Sequence, residues 1–255
     1  MISLKSKEEI QALREGGAIL ARTLSLVAKA IKPGVSTWEL NEMAEAYIAE
    51  NGARPSFKGY AVSWAPMPFP SALCVSVNDE VVHGIPNKNR ILQEGDIVGI
   101  DCGLEYKKMF TDMAVTVPVG KIDSKTQKLV DVTLEALMKG IKTIKPNSKL
   151  NLIGQEVEKH VKQNGFSVVR QLVGHGVGYA PHEAPEIPNY NEPRDKNILK
   201  PGMVLAIEPM VNMGNWPVET LDDGWTVVTA DGSLSAHFEH TVVVTEKGYE
   251  IVTKI

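Results

Sequence analysis

Cysteine is nearly missing: there are two in 255 residues, Cys74 and Cys102. That excludes a disulfide framework. Both sit in apolar surroundings, so they read as buried thiols of a chain working in a reducing cytosol. No apolar run approaches the roughly 18 residues that mark a membrane span. The start, Met1-Ile-Ser-Leu-Lys-Ser-Lys-Glu-Glu9, is too acidic for a secretion signal and lacks its apolar stretch. No block of Lys or Arg stands out, and 27 basic against 31 acidic residues leave a net charge of −4. Nothing therefore pulls the chain toward nucleic acid or toward a membrane. Low-complexity tracts are absent. What remains is an ordinary soluble composition, long enough to bury a substantial core, with a cytoplasmic monomer as the expectation.

The chain begins with helices. Ser6-Lys-Glu-Glu9 is a capping box, and behind it Ile10, Leu13, Gly17, Leu20, Leu24, Val27 and Ile31 recur at steps of three and four. Ser36-Thr-Trp-Glu39 opens a second helix that buries Leu40, Met43, Tyr47 and Ile48, closed by Asn51-Gly52. Ser124-Lys-Thr-Gln127 caps a third, running to about Ile144. The chain then repeats itself. Ile31-Lys-Pro33 returns as Ile144-Lys-Pro146, and Asn51-Gly52 as Asn164-Gly165. Leu92–Asp101 matches Leu199–Glu208, placing Gly95 on Gly202 and Asp101 on Glu208, and a looser match sets Asp112 against Glu239. The reading is α+β: one domain, 1–255, of two pseudo-twofold halves, roughly 6–120 and 124–250.

The chemistry lies in the strands. Ile97-Val-Gly-Ile-Asp-Cys-Gly103 and Met109-Phe-Thr-Asp-Met-Ala-Val-Thr-Val117 carry Asp101 and Asp112 inside apolar, β-prone runs. A buried carboxylate costs several kcal/mol unless something pairs it, and no Lys or Arg lies within either run. With Tyr106-Lys107 as the turn of a hairpin, Asp101 faces Asp112, their Cβ atoms about 4.5–5.5 Å apart. Glu208 and Glu239 supply the same arrangement from the second half. His175 joins them from Gly174-His-Gly-Val-Gly178, where the glycines let other groups approach. Pro181 and Pro185 exclude a helix after that segment, so it is not a dinucleotide loop. This is a metal or charge-relay centre. As metal ligands, Asp101, Asp112, His175, Glu208 and Glu239 carry four negative charges, which two divalent ions neutralise. An oxygen-rich site favours Mn²⁺, Fe²⁺ or Co²⁺. Two such ions ~3.5–4 Å apart activate a water and polarise a carbonyl, which suits hydrolysis of an amide, ester or phosphate.

The other histidines divide. His83 and His182 lie beside Gly or Pro next to ligand-bearing segments and read either as proton handlers or as hydrogen-bond donors to substrate. His160 lies on a polar helix face, His237 shares strand parity with Glu239, and His240 points away. The proline-rich, apolar stretch Trp64–Pro70 reads as a pocket wall.

With these ligands in this order, and with His83-Gly-Ile-Pro86, Gly99-Ile-Asp-Cys-Gly103, Thr111-Asp112, Gly174-His-Gly-Val-Gly178, Ile207-Glu-Pro209, Asp223-Gly-Trp-Thr226 and Phe238-Glu-His-Thr241, the chain resembles the type I methionine aminopeptidases of the pita-bread fold. The resemblance covers nearly all of it. It implies a central antiparallel sheet with helices packed outside, and removal of the N-terminal methionine of nascent polypeptides when the second residue is small. It also implies two divalent ions (Co, Mn or Fe), a bridging hydroxide that attacks the first peptide carbonyl, and Glu208 as general base. His182 then supports the intermediate and His83 the scissile amide. The methionine pocket that the resemblance implies is formed by Phe69, Cys74, His83 and Trp225. The ribosome is implied as a partner, although no basic patch marks a docking surface. The stretch from Tyr60 to Phe69 is longer than the family's short loop, so Tyr60 is left out of the pocket, and Trp64 and Met67 reshape its rim. No zinc-binding extension precedes the first helix and no type II insertion interrupts the chain, as in a minimal bacterial form. A proline dipeptidase or a non-catalytic module of the same fold is the competing reading.

Overall fold

The computed structural model describes residues 2–254. It opens with α1 (Lys7–Ala30) and α2 (Thr37–Glu50). Each starts in the expected capping box, Ser6 with Glu9 and Ser36 with Glu39, which satisfies N–H groups that a first helical turn leaves unpaired. In α2 the buried stripe is Leu40, Asn41, Ala44 and Ile48, with Met43 and Tyr47 only partly covered. Asn41 is buried because its Oδ1 accepts from the N–H groups of Ala72 (2.9 Å) and Leu73 (3.2 Å).

Three short strands follow, β1 (Arg54–Pro55), β2 (Cys74–Val77) and β3 (Glu80–Val82), then the long hairpin of β4 (Ile97–Tyr106) and β5 (Met109–Pro118). The helix pair recurs as α3 (Ser124–Lys142) and α4 (Leu152–Gln163). The strands β6 (Ser167–Val168), β7 (Gly174–Gly176), β8 (Glu183–Ile187), β9 (Val204–Ile207) and β10 (Met210–Asn212) come next. Last are β11 (Val218–Thr220), β12 (Val227–Thr229), β13 (Ser235–His237), β14 (Glu239–Thr245) and β15 (Gly248–Ile251).

Two details differ from the sequence reading. Asp123 rather than Ser124 caps α3, because its carboxylate accepts from the N–H groups of Lys125 and Thr126. The apolar run Phe166–Val173 ahead of His175, which reads as one strand from the sequence, is strand only at β6, since Gln171, Leu172 and Val173 turn aside to line a cavity.

Nine strands form one antiparallel sheet in the order β1-β4-β5-β14-β9-β7-β8, with β2 also on β4 and β15 on β14. Along β4, Val98, Ile100, Cys102 and Leu104 pack with Leu20 and Leu24 of α1 and with Leu40 and Ile48 of α2. Side chains alternate across a strand, so Asp101 faces the other way. In the second half Leu205, Ile207 and Val242 pack with Leu129 and Leu137 of α3 and with Ile153 and Val157 of α4. Each fully buried Leu or Ile contributes about 1.5–3 kcal/mol, which fixes strand register and leaves the acidic face turned away from the helices. The fold is thus the expected α+β one, a central antiparallel sheet with helices outside it. Matching turns carry matching glycines: φ is 95° at Gly95 and 89° at Gly202, a left-handed conformation that glycine takes without strain.

Candidate active site

The β4–β5 hairpin sets the first two carboxylates, in a register different from the expected one. The turn is Lys107-Lys108, with φ of 50° and 65°, and Tyr106 pairs with Met109. This buries Met109 and leaves the lysines exposed, Lys107 reaching Glu15 of α1 at 2.6 Å. Asp101 therefore faces Ala114, and Asp112 faces Gly103. The shift is two residues, so both aspartates keep the same face as diagonal neighbours rather than an opposed pair.

The ladders also refine the correspondence between halves. Carrying Asp101 onto Glu208 through the registers of β4–β5, β5–β14 and β14–β9 carries Asp112 onto His237, Thr116 onto Thr241, and Ala114 onto Glu239. The two threonines share one arrangement. Thr241 Oγ1 accepts from Asp112 N–H (2.9 Å) and donates to Asp112 C=O (2.7 Å); Thr116 Oγ1 does the same for His237 (2.9 and 2.8 Å). The match of Asp112 with Glu239 is thus displaced by two residues. His237 occupies the place equivalent to Asp112 and, as its strand parity allowed, points toward the site. Thr241→Val should leave the buried N–H and C=O of Asp112 unpaired, at about 1–3 kcal/mol for each group. Urea denaturation of that variant should show a lower midpoint; an unchanged midpoint would mean that the hydroxyl is not needed.

All ten sequence-predicted site residues line one cavity of about 420 Å³: Asp101, Asp112, His175, Glu208, Glu239, His83, His182, Phe69, Cys74 and Trp225. Ligand atoms of Asp112, His175 and Glu239 lie within 4.8 Å of one another. His175 is held where it is by its flanking glycines, which make room for backbone rather than for the imidazole. A Cβ at Gly174 would sit 2.5 Å from Ala206 O, and one at Gly176 2.3 Å from Ala184 O.

Among the described residues only histidines come within ion-pair distance of the four carboxylates. His175 Nε2 is 3.2 Å from Glu208 Oε1, and His237 Nε2 is 3.8 Å from Glu208 Oε2. Asp101 Oδ1 and Glu239 Oε1 are buried without a hydrogen-bond partner. Burial, and then the charge of Glu208, push Asp101 up to about 8. Burial, and then neighbouring carboxylates, raise Asp112 and Glu239 well above the usual range. Burial opposes the charged form of His175, but the hydrogen bond and charge of Glu208 outweigh it and raise its pKa. Orphaned oxygens on crowded acids are what a divalent cation would satisfy, so these residues fit such an ion.

His83 and His182 belong to the same cavity. His83 is held at φ 59°, a strained conformation for a residue other than glycine. Burial lowers its pKa to about 4, and its Nδ1 has no partner. His182 lies with its ring 4.4 Å from that of His175 and its Nδ1 3.0 Å from Tyr60 Oη. Its ring opens onto the cavity, yet desolvation, and then His175 and His83, keep its pKa below the ordinary value. The apolar wall is Phe57, Phe69, Cys74 and Trp225, with Phe69 edge-on to Trp225 at 5.2 Å. Trp225 Nε1 donates to Met67 O at 2.8 Å, and Asp223 accepts from the N–H groups of Trp225 and Thr226. Trp64, 59% exposed, lies edge-on to Trp225 at 5.0 Å on the rim. Of the Trp64–Pro70 stretch only Trp64 and Phe69 line the cavity, while Pro66, Met67 and Pro68 are exposed, so the wall is narrower than the stretch.

His160 meets Glu135 at 2.9 Å on the helical surface, and His240 bonds Thr253 on the far face. The sequence reading omits Tyr60, Leu172 and Met210, which also line the cavity. Tyr60 stays in place because the long loop closes at its base, through Gly59 N–H to Phe69 O and Phe69 N–H to Tyr60 O, each 2.8 Å. The extra residues therefore bulge outward. The signal for Met210 was its place two residues beyond Glu208.

The sequence profile of metallopeptidase family M24 matches residues 11–246. A methionine aminopeptidase of Clostridium perfringens is 49% identical over 255 residues, spanning 100% of both chains. Methionine aminopeptidase 1 of Bacillus subtilis is likewise 49% identical, with 100% of both chains covered. Among solved structures, a methionine aminopeptidase from Thermotoga maritima matches with a TM-score of 0.96 at 45% identity, again over 100% of both chains.

Proposed function

This chain belongs to metallopeptidase family M24 and is a metal-dependent aminopeptidase that removes N-terminal methionine, and we propose which of its residues do so. The observation that carries the assignment is the convergence of four carboxylates and His175 on one cavity whose other wall is apolar and aromatic. Asp101, Asp112, His175, Glu208 and Glu239 would hold two divalent ions, Co, Mn or Fe. When bound, such ions supply Lewis-acid polarisation of a carbonyl and lower the pKa of a water. Residues 1–255 act as one catalytic unit of two halves.

The chain's own groups do the rest. Phe69, Cys74, His83 and Trp225 surround the methionine side chain; a soft thiol and ring edges suit a thioether. Glu208 takes the proton of the attacking water. Burial raises the pKa of Tyr60, which keeps it a donor. With its O–H on His182 Nδ1, the ring proton of neutral His182 sits on Nε2, free to meet the oxyanion that develops at the carbonyl. His83, neutral by burial, contacts the scissile amide nitrogen. The substrate is a nascent polypeptide with a small second residue, and the setting is a cytoplasmic monomer that meets its substrate at the ribosome.

The test is methionine released from Met-Ala-Ser, with Ala-Ala-Ser and Met-Leu-Ser alongside, on metal-stripped protein before and after Mn²⁺ or Co²⁺. Metal-dependent cleavage of Met-Ala-Ser alone supports the reaction, the first-residue pocket and the small second residue together. Cleavage of all three would mean that the Tyr60–Phe69 loop opens the pocket, and no cleavage despite bound metal would overturn the assignment. His182→Ala should lower kcat by roughly 10²–10³-fold with little change in KM. A change in KM alone would reassign His182 to ground-state binding.

A further inference from the structure

We propose that Lys5 is a positioning residue for His182, acting through Glu183; this rests on the reading of His182 as a substrate contact. The Lys5 side chain is 1% exposed, and a lysine is rarely so buried unless it is paired. Its Nζ lies 2.8 Å from Glu183 Oε2 and donates to Ser3 Oγ. Ser3 Oγ in turn donates to the same carboxylate oxygen at 2.6 Å. The ammonium sits 4.7 Å above the ring of Tyr179.

The other oxygen of Glu183 ties down backbone. Oε1 accepts from the N–H groups of Tyr179 and, at 3.1 Å, of Ala180. One carboxylate therefore closes the segment 179–183 on itself and fastens it to the N-terminal arm. His182 lies inside that closed segment. Its ring opens onto the cavity between Tyr60, which it meets through Nδ1, and His175 at 4.4 Å, so the backbone of the closed segment decides how it approaches them.

Both ends of this clamp are anchored to the elements that carry the candidate ligands. Lys5 N–H donates to Gly202 O at 2.8 Å, just ahead of β9, which leads into Glu208. Phe110 N–H donates to Gly178 O at 2.8 Å, at the start of β5, which carries Asp112. Tyr179 Oη donates to Glu9 Oε2 at 2.9 Å, in the capping box of α1. The Lys5 stem needs glycine beside it: a Cβ at Gly178 would sit 2.3 Å from Lys5 Cε. The clamp thus sets where His182 stands relative to the ligand-bearing strands, and misplacement of a catalytic group by about 1 Å costs up to roughly 10²-fold in rate.

The experiment is a double-mutant cycle on the metal-loaded full chain, with Met-Ala-Ser as substrate. Lys5→Met keeps the stem and removes the ammonium. It should lower kcat roughly 10- to 100-fold with KM and metal content unchanged, and Lys5→Arg should restore most of the loss. In the His182→Ala background, Lys5→Met should cost nothing further, because the clamp acts through that ring. Loss of a buried ion-pair partner lowers the melting temperature in either case; a merely structural staple would multiply with His182→Ala, and that result would overturn the proposal, as would wild-type kcat in Lys5→Met. If Lys5→Met does not fold, Glu183→Gln carries the same cycle, since it keeps an oxygen for the Tyr179 and Ala180 N–H groups. Unchanged kcat in His182→Ala alone would overturn the reading of His182, and this proposal with it.

Discussion

Glu208→Gln is expected to lower kcat by roughly 10²–10⁴-fold, the range a positioned general base supplies, while the fold and KM for a methionyl peptide survive. The substitution is isosteric, and the side-chain amide, able to donate or accept, can still meet His175 Nε2, which lies 3.2 Å from Glu208 Oε1. What disappears is the proton acceptor and one of the four negative charges on the cavity. Its surroundings make the carboxylate hard to replace. The side chain is 13% exposed, close enough to the cavity to reach a water and too covered for bulk buffer to do its work. Steady-state kinetics with Met-Ala-Ser, beside calorimetric titration with Mn²⁺, separate the outcomes. Wild-type turnover would remove Glu208 from the proton transfer. A variant that binds no metal and turns over nothing would leave it a ligand only.

The sequence was informative wherever burial and charge conflict. A carboxylate among Val, Ile and Thr needs a reason, and Asp101 and Asp112 each have the same one; both lie in the cavity with Glu208, Glu239 and His175. Strand register was less legible. Tyr106-Lys107 and Lys107-Lys108 are equally poor hairpin turns by composition. The choice between them rests on burying Met109 and tying Lys107 to Glu15 on α1, contacts remote in sequence. Because the difference is two residues, side-chain parity hid it. The same two-residue ambiguity set Asp112 against Glu239, when the paired threonine hydroxyls relate Asp112 to His237. Tyr60 and the Lys5–Glu183 clamp depend on where loops close in space, and no periodicity encodes that.

Metal-free protein is expected to lose stability as pH rises from about 4 to about 8, and a divalent ion to restore it. A carboxyl ionises near 3.9 in the unfolded chain, whereas Asp101 is held up to about 8 in the folded one by burial and then by Glu208. Between those values the folded state binds the extra proton, so stability falls as pH rises. For Asp101 alone the loss is on the order of 5 kcal/mol, and Asp112 and Glu239, raised in the same direction, add to it. The histidines His83 and His237 work with the opposite sign. Burial holds His83 at about 4 and His237 at about 3, below the unfolded value near 6.5, so their contribution is lost as pH falls from there through 4 and 3. The metal-free protein is therefore squeezed from both sides. A divalent cation separates the two effects, because it competes with protons on the carboxylates and leaves His83 and His237 alone. The gain in melting temperature on adding Mn²⁺ should accordingly be small at pH 5 and on the order of 10 °C at pH 8, with the acid limb unmoved. Asp101→Asn supplies the control. Relieved of one ionising group, it should be more stable than the wild type at pH 8 without metal and gain little when metal is added. An equal gain at both pH values, or a full gain in Asp101→Asn, would place the cation somewhere other than among these carboxylates.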